Sequence, residues 1–557
     1  MFVVVKKSKT SKRELVYIVE SYRDENQKIR QRIIKKCGEL SELTAEDPDA
    51  LEKIREEAKR MTADAAAKEV ELTVDLDLPN DSSYEMVNYG YFFVESLYQS
   101  LKIGPFIDRR FDDPDEAREV SSALRSLAIR EFFSPLTSEG VRDEPRFLFD
   151  LDKGGDNGGL GSIAKLIPIA DDLMKHIYKV ANKGEECEDK VASLDVTSYY
   201  FNSSAPSGRK PSRTDADAMK DLIMVQMGIL YDRYRNPMTC VVLEEGETET
   251  EAMLVTLERL KKKFGLDRIV ITSDRGFGSN SSLAALYESG NGYVVGRQVK
   301  SSSRRLQKEI LDEDGYRWNE AGTFKFKTFT LPRKVGDDMI PEKVISMWTS
   351  NNAARMKQQR DKIIVDFLSN PRYYSMSEFP EIEKYVVMHD ATETPEEDME
   401  QSYFSFDSES YARDMALDGY YALVTTELDI PDSVIIKRYH NLQKMHRAFA
   451  APDADIDGAP KRAWTHDDVK AYFIVNFVSL VMERKLLKML DSRYTSEQVK
   501  TALRQATCKN IGQNIYDLNV QSETFRDIED AFGVRFDKAY ATLEMLRRYR
   551  REVMNAL

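Results

Sequence analysis

Cysteine and histidine are scarce in this chain, and their scarcity removes whole classes of chemistry. Its 557 residues hold four cysteines (Cys37, Cys187, Cys240 and Cys508) and five histidines, without paired spacing and without clustering between the two types. That argues against a zinc module or a disulfide framework and for a reducing compartment. Long apolar runs are missing too. The longest, Ala471 to Met482, is too short to cross a bilayer and is flanked by charge, so no membrane partner is expected. The basic start lacks the apolar core of a signal peptide, which makes the expected location cytoplasmic. Internal repeats and low-complexity tracts are absent.

Positive charge is also in deficit. The chain has 81 Lys and Arg against 95 Asp and Glu, a formal net charge of −14. Nucleic-acid affinity rests on neutralising phosphates, so an acidic chain that binds DNA must concentrate its cations locally. Two places do so. Residues 1–37 carry eleven Lys/Arg against four Asp/Glu. Near the other end, Leu546-Arg-Arg-Tyr-Arg-Arg551 sets Arg547, Arg548, Arg550 and Arg551 around a tyrosine, a pattern able to meet phosphate and stack on bases. Either patch reads equally well as a solvated face.

What is present is a set of short β-branched and aromatic runs. Val191 to Phe201 and Ile269 to Phe277 each deliver one aspartate, Asp195 and Asp274, in or just past a strand. A carboxylate in such a strand costs several kcal/mol, about what a cation must repay. Side by side in one sheet, the two would offer oxygen ligands to Mg²⁺. Between them, Leu222–Leu230 and Met238–Leu243 flank the polar turn 231–237, a hairpin signal. Thr250–Phe264 then shows helical spacing, ending in three lysines before Gly265. Strand Arg268–Ser273, a helix over Ser281–Glu288 and strand Gly292–Gly296 follow.

In that order, Leu194-Asp-Val-Thr197 and Ser273-Asp-Arg-Gly276 resemble the first two motifs of DDE transposases of bacterial insertion sequences, in the insertion-sequence-four-like superfamily. Val16–Arg23, Ile29–Arg32, Cys37–Leu40 and Asn88–Leu97 extend the resemblance towards the start of the chain. It implies an α/β catalytic core with a ribonuclease H-like mixed sheet, a β-rich insertion inside it, and an additional helical N-terminal region. It also implies Mg²⁺, with Mn²⁺ as a substitute, held by Asp195 and Asp274. The implied partners are DNA, as terminal inverted repeats and target, and a second copy of the chain in a homodimer. Arg209, Lys210 and Arg275 join the four C-terminal arginines as candidate DNA contacts.

The third motif departs from the family. Gly419–Thr426 resembles the strand before it and Ile430–Ser433 the following helix start. The family helix then reads Tyr-x-x-Arg-x-x-x-Glu. Here Tyr439 and Phe449 align, Leu442 stands at the arginine position, and His446 stands at the catalytic glutamate position. Residues 439, 442, 446 and 449 fall on one helical face. Imidazole suits zinc, copper or nickel better than magnesium, so His446 is either a catalytic base or soft-metal ligand or the remnant of a decayed site. Glu427, Asp429, Asp432 and Asp453 are acids that could substitute, and none has the helix register of the missing glutamate.

The expected division is a basic segment over 1–72 with possible DNA binding, a helical region over 73–182, and the first part of the core over 191–298. A β-rich insertion over 299–416, the second part of the core over 417–490 and a helical C-terminal region over 491–557 follow. Three functions fit this reading: a metal-dependent transposase, a catalytically impaired or domesticated DNA-binding descendant, and an unrelated metal phosphohydrolase. The near end-to-end resemblance favours the first.

Overall fold

The computed structural model describes residues 1–7, 13–23, 29–47, 49–66, 86–133, 146–149, 159–184, 190–202, 222–243, 249–273, 280–335, 338–369, 383–389, 403–448, 465–512, 514–519 and 522–557. The chain divides into two compact units, Met1–Ser82 and Ser83–Leu557.

In the first unit, strands β1 (Phe2–Lys7), β2 (Glu14–Arg23) and β3 (Ile29–Glu39) form an antiparallel meander. Helices Leu40–Glu46 and Ala50–Ala66 follow it. Val16, Ile18 and Val19 are fully buried from β2. Two register shifts interrupt the β2–β3 pairing, between Val16 and Tyr17 and between Ile18 and Val19. The second shift puts the adjacent residues Ile18 and Val19 out of simple alternation, and both are buried.

The second unit is organised by one nine-stranded sheet. After the short β4 (Val87–Asn88) come β5 (Val191–Asn202), β6 (Leu222–Tyr231), β7 (Pro237–Leu243), β8 (Arg268–Ser273) and β9 (Gly292–Arg297). The next segment supplies β10 (Arg317–Trp318), β11 (Phe324–Thr330), β12 (Arg333–Val335), β13 (Asp338–Ile340), β14 (Lys343–Thr349), β15 (Val386–His389) and β16 (Tyr403–Phe406), before β17 (Tyr420–Thr425). The sheet order is β10-β11-β14-β17-β9-β8-β5-β6-β7. Strands β5, β6 and β7 pair antiparallel, whereas β5, β8 and β9 run parallel.

Two segments hold more than was expected of them. The 299–416 segment is not simply β-rich, because it also carries helices Arg304–Leu311, Ser350–Ser369 and Ser408–Ala416. Its long strands extend the central sheet, because β14 pairs with β17. The C-terminal region is not purely helical, since β18 (Thr507–Gly512), β19 (Ile515–Leu518) and β20 (Tyr540–Thr542) form a small sheet with β4. Gly90 is needed at that junction. A Cβ there would sit 2.3 Å from the Leu503 carbonyl oxygen.

Alternation along β5 sends its side chains to two faces. Leu194 and Val196 join a core with Ile269, Ile271, Leu257 and Leu260, covered by helices Glu249–Phe264 and Asn280–Glu288. The opposite face is covered in two parts. Tyr199, Met227 and Ile229 pack into a large helical body that includes Tyr91–Ser100, Pro114–Phe133 and His466–Met489. Val270, Val294 and Leu423 instead meet Ile435 and Tyr439 of the Asp432–Ala448 helix. The apolar run 471–482 is thus a core helix, begun by a capping box of Thr465 and Asp468. Among the described residues, no helix is long and apolar enough to cross a membrane.

Candidate functional site

Asp195 stands on the seam between the two covers. Its register partners are Ile229 on β6, which belongs to the helical body, and Thr272 on β8, two residues before Asp274. The carboxylate is fully buried. Its Oδ2 accepts a hydrogen bond from Arg235 Nη2 at 2.6 Å. Its Oδ1 has no hydrogen-bond partner among the described residues, and neither do the buried hydroxyls of Thr197 and Thr272. A half-satisfied buried carboxylate is costly, so this cluster is a poor structural device and a good candidate site.

Arg235 is the residue that sequence reasoning passed over. It lies in the β6–β7 turn, noticed only as a hairpin signal. Asp232 organises that turn: its Oδ1 accepts the amides of Tyr234 and Asn236. Its Oδ2 accepts the Tyr178 hydroxyl and the Asn236 amide group. The resulting loop holds Arg235 at φ 65°, the left-handed region that costs a non-glycine residue about 1 kcal/mol. The guanidinium stacks 4.0 Å over the Tyr231 ring and also reaches Ser193 Oγ at 3.3 Å. Burial works against its charge, but Asp195 outweighs that by Coulomb attraction and hydrogen bonding, and the group titrates above the ordinary arginine value. The available signal was topological. A turn after the second strand of an antiparallel pair returns to the start of the first strand, where a long cation reaches an aspartate.

The remaining expected residues are distributed unevenly. Asp274, Arg275, Arg209, Lys210 and Asp453 lie outside the described residues, as does Phe449. Strand β8 ends at Ser273, whose hydroxyl donates to the Val196 carbonyl at 3.1 Å, so the chain leaves the sheet beside Asp195. Position 446 falls within the Asp432–Ala448 helix, on the stripe begun by the buried Ile435 and Tyr439. The side chains of Leu442 and His446 lie outside the described residues. Glu427 sits at the other end of β8, where Arg268 Nη1 donates to its Oε2 at 3.0 Å and Arg268 Nη2 to its Oε1. Asp432 is likewise engaged, accepting from Thr328 at 2.8 Å.

The C-terminal cluster needs correction. It forms the outer part of helix Leu543–Met554, whose inward stripe is Leu546, Tyr549 and Val553. Tyr549 is buried against Phe536 at 4.6 Å, so its ring is not a stacking surface. Arg550 belongs to the interior: its Nε and Nη2 donate to the buried Glu95 carboxylate at 2.9 and 2.7 Å. Arg547, Arg548 and Arg551 are exposed.

For a hard divalent cation, the described residues provide one open carboxylate oxygen, Asp195 Oδ1, with two unpartnered hydroxyls nearby in register. Among the described residues, no three His, Cys, Asp or Glu side chains come together as a metal-binding group. The donor type fits Mg²⁺, and one carboxylate oxygen is fewer ligands than that ion takes.

Residues 3–70 match the IS1634 family transposase N-terminal domain, in agreement with the resemblance to insertion-sequence transposases read from the motifs. No curated protein matches the chain. Among solved structures, a piggyBac transposase synaptic complex with hairpin DNA, determined by cryo-electron microscopy, aligns over 84% of each chain. The identity there is 9% and the TM-score 0.30.

Proposed function

We propose, from the premise that residues 3–70 are those of an insertion-sequence transposase, that this chain is a DDE-type DNA transposase with a ribonuclease H-like core. The observation that carries the reading is the β7-β6-β5-β8-β9 order, antiparallel for three strands and then parallel, with buried Asp195 on its central strand. That order supports a ribonuclease H-like core. In it, Asp195 and Asp274 would hold Mg²⁺ or Mn²⁺, which would supply an activated water or 3′-hydroxyl for in-line attack on a phosphodiester. Asp195 contributes its open oxygen and negative charge. Arg235 fixes the carboxylate's orientation and offsets its burial. The substrates would be the ends of a mobile element and a target duplex, bridged by a homodimer.

His446 in place of a glutamate supports a second reading, a catalytically impaired descendant that still binds DNA. Cleavage of labelled element ends in Mg²⁺ and in Mn²⁺ separates the two. If the site has decayed, the wild type cleaves poorly in Mg²⁺, His446→Glu improves cleavage, and Mn²⁺ narrows the gap. Robust Mg²⁺ cleavage by the wild type that His446→Glu abolishes would make His446 a working catalytic group. No cleavage and no DNA binding by either protein would reject both readings.

A further inference from the structure

Beside Asp195 the seam opens into a cleft of about 450 Å³, between the β6–β7 turn and the start of the Asp432–Ala448 helix. Arg233 and Arg235 line it from the turn, and Lys437 and Arg438 from the helix. Asp232 also lines it, but both of its oxygens are occupied within the turn. Arg235 is committed to Asp195 and Ser193. Lys437 is exposed and Arg438 half-buried, and neither has a hydrogen bond or ion pair among the described residues. Burial, followed by the like charge of Arg235, holds the Arg438 guanidinium below its ordinary pKa. Asp195 and Glu427 attract Arg438 only at a distance, and each is hydrogen-bonded to another arginine, so Lys437 and Arg438 keep their donors open to an anion.

We propose that this cleft seats a backbone phosphate of duplex DNA, with Lys437 and Arg438 as its donors. A tetrahedral oxyanion would satisfy the planar guanidinium and the ammonium together. Duplex DNA is favoured over a small phosphate compound by the adjoining surface. Tyr234, 51% exposed, lies next in the turn with the Arg233 guanidinium 5.0 Å over its ring. Arg233 extends the cationic surface beyond the cleft, wider than one small anion needs and suited to successive backbone phosphates. Arg235, which lines the cleft, is hydrogen-bonded to Asp195, so a strand held there lies one side chain away from the candidate carboxylate. The inference deepens the transposase reading and rests on it.

The test is binding of the full-length protein to a duplex oligonucleotide over a range of salt concentrations, for wild type, Lys437→Ala and Arg438→Ala. Each variant should weaken binding about tenfold at low salt and reduce the slope of log affinity against log salt by about 0.9, one phosphate contact. If wild type binds duplex and both variants keep its slope, the cleft is not a phosphate seat, while the transposase reading survives. If wild type fails to bind duplex at any salt, both ideas fall. If inorganic phosphate displaces the duplex from wild type at micromolar concentration, the cleft is a small-anion site and the DNA assignment is wrong. Should Arg438→Ala fail to fold, exposed Lys437 decides the matter alone.

Discussion

Two acidic residues lie at opposite ends of the same stretch of sheet, and they are treated in opposite ways. Glu427 is paired through both oxygens by Arg268, and its amide donates to Thr425 Oγ1 at 3.0 Å. The surroundings close tightly on it: a Cβ at Gly292 would come within 2.2 Å of Glu427 Oε1. Asp195 is more deeply buried, yet only one of its oxygens is bonded among the described residues. Buried polar groups in a fold are normally paired, and exceptions call for a functional account. The completed pair reads as structure and the half-completed one as a site. Glu427 is therefore spent on stability.

The comparison breaks most sharply at Asp195. Asp195→Asn should lower metal-dependent cleavage by about 10³-fold, because metal stabilisation of the transition state is worth several kcal/mol and each 1.36 kcal/mol is tenfold. Its melting temperature should fall less than that of Arg235→Ala, since the amide oxygen still accepts a hydrogen bond from Arg235. A variant that cleaves normally would show Asp195 to be structural.

Arg235→Ala should cost about 3 kcal/mol of stability by leaving a buried carboxylate without its cation. Mg²⁺ should return part of that loss, raising the variant's thermal midpoint more than the wild type's. Equal shifts for the two proteins would deny a cation site at Asp195. Glu427→Ala should cost about 2 kcal/mol, less because Arg268 is 35% exposed and can turn to solvent. Cleavage per folded molecule should remain, and its selective loss in stably folded Glu427→Ala would give Glu427 a catalytic role. Thr272→Val is the smallest change, within about 1 kcal/mol of neutral, because it removes an unpartnered buried hydroxyl while keeping shape. A loss above that range by chemical denaturation would mean the hydroxyl has a structural partner.

Much of the central sheet was legible because its signals are local. Strand Arg268–Ser273 was placed at its observed limits, and the hairpin and Glu249–Phe264 helix lie within one residue of theirs. Each announced itself by side-chain period and by turn or cap residues close in sequence. The same local logic could not separate Arg550 from the rest of Leu546–Arg551. Composition shows a basic cluster, but only packing reveals that Arg550 faces Glu95, 455 residues away. It also could not foresee that β14 would join β17 and lengthen the core sheet, since strand pairing at that separation leaves no mark in either strand alone.

By itself, then, the sequence determined the strands and helix around Asp195, which of them carry the candidate acids, and that residue 446 is a histidine. Periodicity and residue chemistry act over a few positions, and these are statements about a few positions. Tertiary structure decided which carboxylate stays open and which is closed. It brought a turn cation across the hairpin onto Asp195, sent Glu427 to Arg268, and gathered Lys437 and Arg438 beside Arg235. Those outcomes depend on sheet order and helix cover, through which groups distant in the chain share one low-dielectric space where an unmatched charge is costly.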